Sequence, residues 1–494
     1  MSRLYVDCVV HQTGDSNLCL TPGRWFAVSF IMFFTRFIMN YSIEQSEITE
    51  RTEQINKFAL LVDLFNNNAV ERVTFMAELS KIEQTDWAKE NLFNQLIGYC
   101  VLGDAYGILK SRELDFRKAY YNNEYVYKEV SYYHNVQYLI TRVKKEEWAA
   151  LYLTAFSTSC KAYLCLANAY DHLGRFCEAQ QYYRMALQDS YNTSKVEVNQ
   201  GFAYANMHSF WIEEEPFIIR KAQQIIRKYQ QTFDSLSPYF RQICSWSSPS
   251  LDAPLVDYHN IQDGEYEKWI CHHYLRINRF NDVEPDSMLS LCDNVKLPVI
   301  VDTPEKKALY ESTFEEIKGS YISTRKILYT IINEDRNSMN MEMLKMAYKN
   351  FYSIFDKIAM FLSNYLDIKL KSYEVDFAKI WNCKNGDIRR EILTHSQNMP
   401  LLGLYNIKLD VYGMKKTDWY VVDEQTKDLK MLRNYMEHKS IIINDVSMSR
   451  TEYQLTISKQ ELELNTIRLA QLVRCAIIYL CNFVMYEEYD KLHQ

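Results

Sequence analysis

Residues 160–189 read CKAYLCLANAYDHLGRFCEAQQYYRMALQD, and this stretch decides the fold class because its apolar residues recur at helical spacing. The large and small residues of the two faces are Tyr163, Leu166, Ala167, Tyr170, Ala179, Tyr183 and Ala186. Ala167 and Ala179 let two helix backbones approach, the tyrosines and Leu166 fill the wedge between them, and Gly174 supplies the turn. The stretch therefore predicts two antiparallel helices.

This hairpin resembles a tetratricopeptide unit, and two weaker copies of the pattern flank it. Their matching residues are Leu102, Gly103, Tyr106 and Ala119 upstream, and Gly201 and Tyr204 downstream. We therefore predict about three degenerate tetratricopeptide-like repeats in residues 45–235, close to the minimum for a stable stack. We expect such an array to bind a protein or peptide ligand. A plain helical bundle with one fortuitous hairpin is the alternative.

The composition favours an all-α protein with packed cores. Of 494 residues, 48% are hydrophobic, and only 12 are Gly and 9 are Pro. Average usage would give roughly 35 Gly, so tight turns are scarce and long helices are expected. The net charge of −7 argues against a protein that coats nucleic acid, so any RNA contact must be local. The 12 Cys include no C-x-x-C pair, which indicates reduced thiols of a cytoplasmic protein and neither a disulfide framework nor a zinc site. We expect no metal and no cofactor.

Residues 1–38 match no domain pattern. The apolar run WFAVSFIMFF at 25–34 is shorter than the roughly 20 residues that a membrane span needs, and Arg36 interrupts it. No small-residue cleavage site follows it. We expect no stable membrane association, although a membrane or interfacial role for the run is the alternative. A further interpretation is that Met39 is the true start and that residues 1–38 are an extension outside the native protein.

Residues 236–302 concentrate Ser, Pro and Asp, and predict a connector with a docked aromatic segment, EYEKWICHHYLRINRFND. Cys271, His272 and His273 within it resemble a metal-ligand cluster. Neighbouring helix residues point about 100° apart, however, so a packed or surface role is favoured.

From Thr303 onward, helices resume and predict a C-terminal helical bundle at 303–490. A buried helix face is expected at Leu344, Ala347, Phe351, Ile354, Phe355, Ile358, Phe361 and Tyr365. The closing apolar helix contains Arg474, which argues for core packing instead of a membrane span.

The segment TKDLKMLRNYMEHKSIII at 426–443 predicts a helix from about Thr426 that ends at Ser440. One apolar stripe, formed by Leu429, Leu432 and Met436, would face the bundle. A second stripe, formed by Met431, Tyr435 and His438, requires another partner surface, either an element of this chain or a second copy. Asn434 lies one turn before His438.

An Arg followed by four to six residues and then a His is a pattern that occurs at Arg433 and His438, but it is a weak pattern. They lie about 140° apart on an ideal helix, so they meet at one phosphate only if the helix end loosens or a second subunit completes the site. Glu437 is placed to pair with Arg433. Arg389 and Arg390 precede His395 at similar spacing, so spacing alone does not choose between the two pairs.

The string LRNYMEHKSI at 432–441 resembles the signature of the HEPN superfamily (higher eukaryote and prokaryote nucleotide-binding). The chain from about 95 to 490 resembles a prokaryotic branch in which tetratricopeptide repeats precede the HEPN domain. The matching pieces are LGRFCEAQQYYRMAL at 173–187, YEKWICHHYLRINRFND at 266–282, FEEIKGSYISTRKILY at 314–329, FYSIFDKIAMFLSNYLDI at 351–368, MPLLGLYNIKLDVY at 399–412 and IRLAQLVRCAIIYL at 467–480.

The resemblance selects Arg433 and His438 over the pair that ends at His395, because only Arg433 and His438 lie in the segment that matches the family signature. It implies a metal-independent RNA endonuclease that acts as a homodimer, commonly as a toxin or in defence against phage. Asn434 matches the polar residue that follows the family's Arg, and Asp356 is the candidate for a supporting acid. Some family members bind RNA or protein without catalysis, so a non-catalytic scaffold is the alternative. Signatures of serine hydrolases, zinc hydrolases and phosphate-binding loops are missing from the sequence.

Overall fold

The computed structural model describes residues 50–113, 121, 123–142, 145–188, 197, 200–201, 204, 215–228, 244–245, 264–283, 291–333, 338–395, 397–412, 426, 428–444 and 448–493. Regular structure in these residues is almost entirely α-helical, which confirms the predicted all-α class. The N-terminal extension at 1–38 and about half of the connector lie outside the described residues.

The helices of the N-terminal half are α1 (Glu50–Asn66), α2 (Arg72–Glu83), α3 (Leu92–Glu113), α4 (Glu124–Arg142), α5 (Lys145–His172), α6 (Phe176–Gln188) and α7 (Glu215–Lys228). The connector contributes α8 (Glu265–His272) and α9 (Phe280–Val283). The C-terminal region contains α10 (Pro304–Asn333), α11 (Ser338–Tyr365), α12 (Arg390–Leu393), α13 (Met399–Tyr412), α14 (Leu429–His438) and α15 (Lys459–His493). Short 3-10 turns lie at Trp87–Lys89 and Ser372–Glu374.

The predicted hairpin is confirmed in α5 and α6. Ala167 and Ala179 are completely buried between the helices, and Gly174 has φ +72° at the turn. A Cβ atom on Gly174 would collide with the carbonyl oxygen of Met399, so this residue serves close helix approach as well as chain reversal. The tetratricopeptide assignment itself stays a prediction. Ala119 and most residues around Gly201 and Tyr204 lie outside the described part of the chain.

The hairpin and the C-terminal helices share one hydrophobic core. Buried residues from Leu96 to Val484 form a single cluster, while α1 to α3 enclose a second cluster of their own. Phe176 at the start of α6 packs on Tyr479 of α15, with ring centres 4.6 Å apart. Asn406 of α13 donates a hydrogen bond of 3.1 Å to the carbonyl oxygen of Leu173. The end of the hairpin is therefore built into the bundle.

The described part of the connector is held against the bundle by buried ion pairs. Arg474 of α15 binds both carboxylate oxygens of Asp282, at 2.6 and 2.8 Å, and both residues are buried. Arg325 of α10 binds both carboxylate oxygens of Asp293, at 2.7 and 2.9 Å. Each guanidinium and carboxylate thus compensates the burial of its partner.

Helices α10, α11, α13, α14 and α15 form the C-terminal bundle. The face predicted on α11 is buried from Leu344 to Phe361, and Tyr365 is partly buried. Among the described helices, one at Lys459–Leu492 is long and apolar enough to cross a membrane, but 89% of its most apolar window is buried inside the protein. Arg474 is fully buried within it, so this helix packs in the core as its sequence predicts.

A small three-stranded sheet covers α14. Strands β1 (Ser440–Asn444) and β3 (Gln454–Ser458) pair in parallel, with Ile441 opposite Leu455, and β2 (Ser449–Arg450) pairs antiparallel to β3. The β-branched residues after Ser440 favour a strand, which explains why the chain leaves helical geometry there.

Candidate active site

Helix α14 presents its apolar stripe to the bundle. Leu429 and Leu432 are completely buried and Met436 is nearly so, as predicted. The helix begins at Leu429, later than the expected Thr426, and ends at His438. The hydroxyl of Tyr348 on α11 donates a hydrogen bond of 2.6 Å to the carbonyl oxygen of Leu429, which fixes the first turn against α11.

The second stripe of α14 is covered by this chain itself. Tyr435 is buried, and its hydroxyl donates a hydrogen bond to the carbonyl oxygen of Thr451 beside the sheet. Met431 is partly buried, and its sulfur lies 3.8 Å from a guanidinium nitrogen of Arg450. Of the two partner surfaces that the sequence left open, an element of this chain or a second copy, the sheet of this chain is the one that contacts these two residues. His438 alone remains exposed.

Arg433 lies where α14 meets α11. Its guanidinium carbon is 4.6 Å from the ring centre of Tyr352 and 6.0 Å from that of Tyr412. Burial tends to lower the pKa of Arg433, but the two tyrosines, Glu437 and Asp356 raise it, and the pKa ends above its usual value. The guanidinium is thus charged and is held on an aromatic surface.

Glu437 connects Arg433 to His438. Arg433 Nε donates to Glu437 Oε1 at 3.2 Å, which confirms the pairing expected four residues apart. The other oxygen, Glu437 Oε2, lies 3.7 Å from His438 Nε2. The side chain of His438 is 71% exposed, and Asn434 is exposed one helical turn earlier. The structure therefore brings Arg433 and His438 to opposite oxygens of one carboxylate.

Asp356 lies close to this group without a direct bond to Arg433 or His438 among the hydrogen bonds of the described residues. Its Oδ1 accepts a hydrogen bond of 3.1 Å from the backbone N–H of Phe377. Burial is the main cause that raises the pKa of Asp356, while the Phe377 N–H and the charge of Arg433 oppose the rise. The carboxyl group thus anchors the chain after α11 and influences Arg433 through space.

Residues 303–488 match the family model described as LA2681-like HEPN. The C-terminal region is a HEPN domain. No curated protein matches the chain, and no solved structure matches it. The match includes Arg433, Asn434, His438 and Asp356.

The competing pair in the HEPN domain is arranged differently. His395 Nδ1 lies 2.7 Å from Glu487 Oε2 on α15, and the same carboxylate accepts a hydrogen bond of 2.7 Å from Asn398. Arg389 donates at 2.9 Å to the backbone carbonyl of Ile380. His395 and Arg389 therefore have separate structural partners.

The histidines beside α8 pack against aromatic rings. His273 lies 5.1 Å from the Trp269 ring and 5.0 Å from the His272 ring, measured between ring centres. Burial lowers the pKa of His273. In the described residues, no group of three or more His, Cys, Asp or Glu side chains is placed to hold a metal ion.

Sequence reasoning did not find Tyr352 and Tyr412, which bracket Arg433 from α11 and α13. Tyr352 donates a hydrogen bond of 3.2 Å to the carbonyl oxygen of Val411, and the two rings are 5.3 Å apart. The sequence shows only that both residues are tyrosines. Because the chain has 38 Tyr, residue type alone does not single these two out. Contact with Arg433 arises only when three separate helices pack together.

Proposed function

We propose that the HEPN domain is an RNA endonuclease in which His438 transfers a proton and Arg433 stabilises negative charge on the phosphate. The observation that carries this proposal is the position of the Glu437 carboxylate, which lies within 4 Å of both side chains. An anionic group at this position can therefore contact Arg433 and His438 together. The alternative is a scaffold that binds RNA or protein without cleavage.

The proposed reaction uses the ribose 2′-hydroxyl of RNA as the nucleophile. His438 removes the proton of this hydroxyl, the 2′-oxygen attacks the adjacent phosphorus, and the bond to the 5′-oxygen of the next nucleotide breaks. A 2′,3′-cyclic phosphate and a 5′-hydroxyl end result, and the departing 5′-oxygen takes up the proton that His438 returns. Arg433 stabilises the charge that grows on the non-bridging oxygens. Each role is worth about 10²- to 10³-fold in rate.

The proposal extends to the assembly and to the biological setting. Two copies of the chain would complete the site, since the side chain of His438 is 71% exposed and the charged group of Glu437 lies beside it. The array of N-terminal helices would bind a protein or peptide trigger, and the protein would act in the cytoplasm as a toxin or in defence against phage. These assignments follow the family expectation and the position of the helices in the same core.

One observation favours the scaffold alternative. The charged groups around Arg433 include two carboxylates, Glu437 and Asp356, so the resting site is not strongly positive. A purely structural Arg433 would need no more than these partners and the Tyr352 ring.

The test is an assay of the purified full chain on total RNA and transfer RNA, with and without EDTA. Cleavage by the wild type in both conditions, with loss in Arg433→Ala and His438→Ala, supports the endonuclease. His395→Ala serves as the matched control, because His395 is also a histidine paired with a glutamate in the same domain. Full activity of Arg433→Ala or His438→Ala rejects the proposal, and binding without cleavage by the wild type favours the scaffold.

A further inference from the structure

Glu437 contacts the two proposed catalytic residues with different oxygens. Oε1 lies 3.2 Å from Arg433 Nε, and Oε2 lies 3.7 Å from His438 Nε2. A carboxylate and a phosphate present paired oxygens of similar geometry to an arginine, which binds both groups in the same way. We infer that Glu437 occupies the phosphate position in the resting protein and must turn away before a phosphodiester of single-stranded nucleic acid can bind. This inference rests on the proposed function of the same site.

The local charges make this exchange necessary. Arg433 carries one positive charge, and the carboxylates of Glu437 and Asp356 both act on it. A phosphodiester adds a further negative charge, so it would be repelled while both carboxylates remain. Rotation of one carboxylate away from Arg433 removes most of that repulsion.

Glu437, and not Asp356, is the group that can move. Asp356 is fixed by the hydrogen bond from the Phe377 backbone and is only partly exposed. Glu437 lies on the exposed side of α14, with 34% of its side chain accessible, and the ion pair that holds it is open to solvent. Exposed ion pairs contribute little free energy, so a competing phosphate can displace this one.

Arg433 does not need to move during the exchange. Its guanidinium is held over the Tyr352 ring at 4.6 Å, and Tyr352 is buried and bonded to Val411. The arginine thus stays oriented while its anionic partner changes. Glu437 is therefore a residue that controls anion access to the proposed catalytic pair.

Binding of a short fluorescein-labelled single-stranded DNA to the full chain tests the inference. DNA lacks the 2′-hydroxyl, so affinity is measured without cleavage. Glu437→Gln keeps the side-chain shape and removes the charge, and should lower the Kd about 3- to 10-fold at low salt. The matched control is Glu124→Gln, since Glu124 pairs with Lys128 at the same spacing and the same 3.2 Å, on α4. The control should leave the Kd unchanged.

Two further measurements test whether the gain in DNA affinity of Glu437→Gln arises at Arg433. The double variant Arg433→Ala with Glu437→Gln should lose the gain, because the released anion site requires the arginine. Inorganic phosphate should displace DNA from Glu437→Gln at lower concentration than from the wild type, as expected for recognition of the phosphate group. Equal or weaker DNA binding by Glu437→Gln, or a gain that survives the loss of Arg433, overturns the inference.

The DNA result and the RNA assay can fail separately. Tighter DNA binding by Glu437→Gln with no RNA cleavage by any variant rejects the endonuclease and keeps the anion exchange. RNA cleavage by the wild type without any gain in Glu437→Gln keeps the endonuclease and rejects the exchange.

Discussion

The guanidinium of Arg433 lies over the aromatic ring of Tyr352, with its central carbon 4.6 Å from the ring centre. This contact joins α14 to α11 at the candidate active site. Because the ring is buried and the arginine is charged, the contact helps to hold the guanidinium in place while its Nε donates to Glu437.

Two replacements of Tyr352 should therefore separate the orientation of Arg433 by the ring from the contribution of Tyr352 to folding stability. Tyr352→Phe keeps the ring and loses the hydrogen bond to Val411, so it should cost on the order of 1 kcal/mol in unfolding free energy and retain most RNA cleavage. Tyr352→Leu removes the ring and should lower the cleavage rate about 10-fold beyond the effect of Tyr352→Phe. Urea denaturation and single-turnover cleavage measure the two effects. Equal cleavage rates for both variants would show that the ring does not orient Arg433.

Mixing Arg433→Ala with His438→Ala tests whether the proposed site is shared by two copies. If each site takes its arginine and its histidine from different copies, one site of every mixed dimer is intact. An equal mixture should then recover about a quarter of wild-type cleavage. Cleavage no higher than that of each variant alone would place the whole site within one chain.

Arg175 forms a buried ion network at the end of the hairpin. It binds Glu178 at 2.6 Å and also bonds Asp410 on α13, and all three side chains are almost inaccessible. Arg175→Met removes the cation that neutralises these two buried carboxylates, and should cost about 3–5 kcal/mol of unfolding free energy. Arg72→Met is the comparison, because Arg72 forms an exposed pair with Glu113 and should cost no more than about 1 kcal/mol. Similar losses in chemical denaturation would contradict the proposed role of burial.

Gly174 and Gly386 allow backbone strain to be separated from close packing. Both have positive φ, +72° and +96°, but an added Cβ meets the Met399 carbonyl at Gly174 and open space at Gly386. Gly386→Ala should cost about 1–2 kcal/mol from backbone strain. Gly174→Ala should cost at least about 2 kcal/mol more, because α6 and α13 must separate. Melting temperatures provide the measurement, and equal shifts would refute the close approach.

Asp63 should make stability depend on pH. Burial, with a smaller effect of Asp104, raises the pKa of Asp63 to about 6, although Lys161 opposes the rise. The folded state therefore binds a proton more tightly than the unfolded state, and this stabilisation is complete below about pH 4 and lost as pH rises through 6. In Asp63→Asn the side chain at position 63 no longer titrates. The fall in unfolding free energy as the pH rises from 4 through 6 should therefore be smaller than in the wild type by on the order of 1–2 kcal/mol. Denaturation curves of both proteins at several pH values provide the measurement. If the unfolding free energy of Asp63→Asn changes between pH 4 and 6 as much as that of the wild type, the assignment to Asp63 is wrong.

Local patterns predicted the helices and their buried faces. The stripe on α14, the buried face of α11, the turn at Gly174 and the core position of α15 all follow from residue spacing. Spacing also predicted that Glu437 pairs with Arg433, because residues four apart on a helix are neighbours. These features depend on residues close together in the chain.

Several contacts at the candidate site and in the core depend on tertiary packing. Tyr352 and Arg433 belong to different helices, and so do Arg175 and Asp410, so no local period indicates that they meet. The sheet beside α14 covers Met431 and Tyr435, a role that the sequence left open between this chain and a second copy.

The sequence by itself determined the all-α class, the helix faces and the residue types of the candidate pair, because hydrophobic period and side-chain chemistry are local properties. The tertiary structure decided that the hairpin enters the core of the HEPN domain and that the aromatic ring of Tyr352 holds Arg433. The physical reason is that these arrangements depend on how separate helices pack and which rotamers that packing allows.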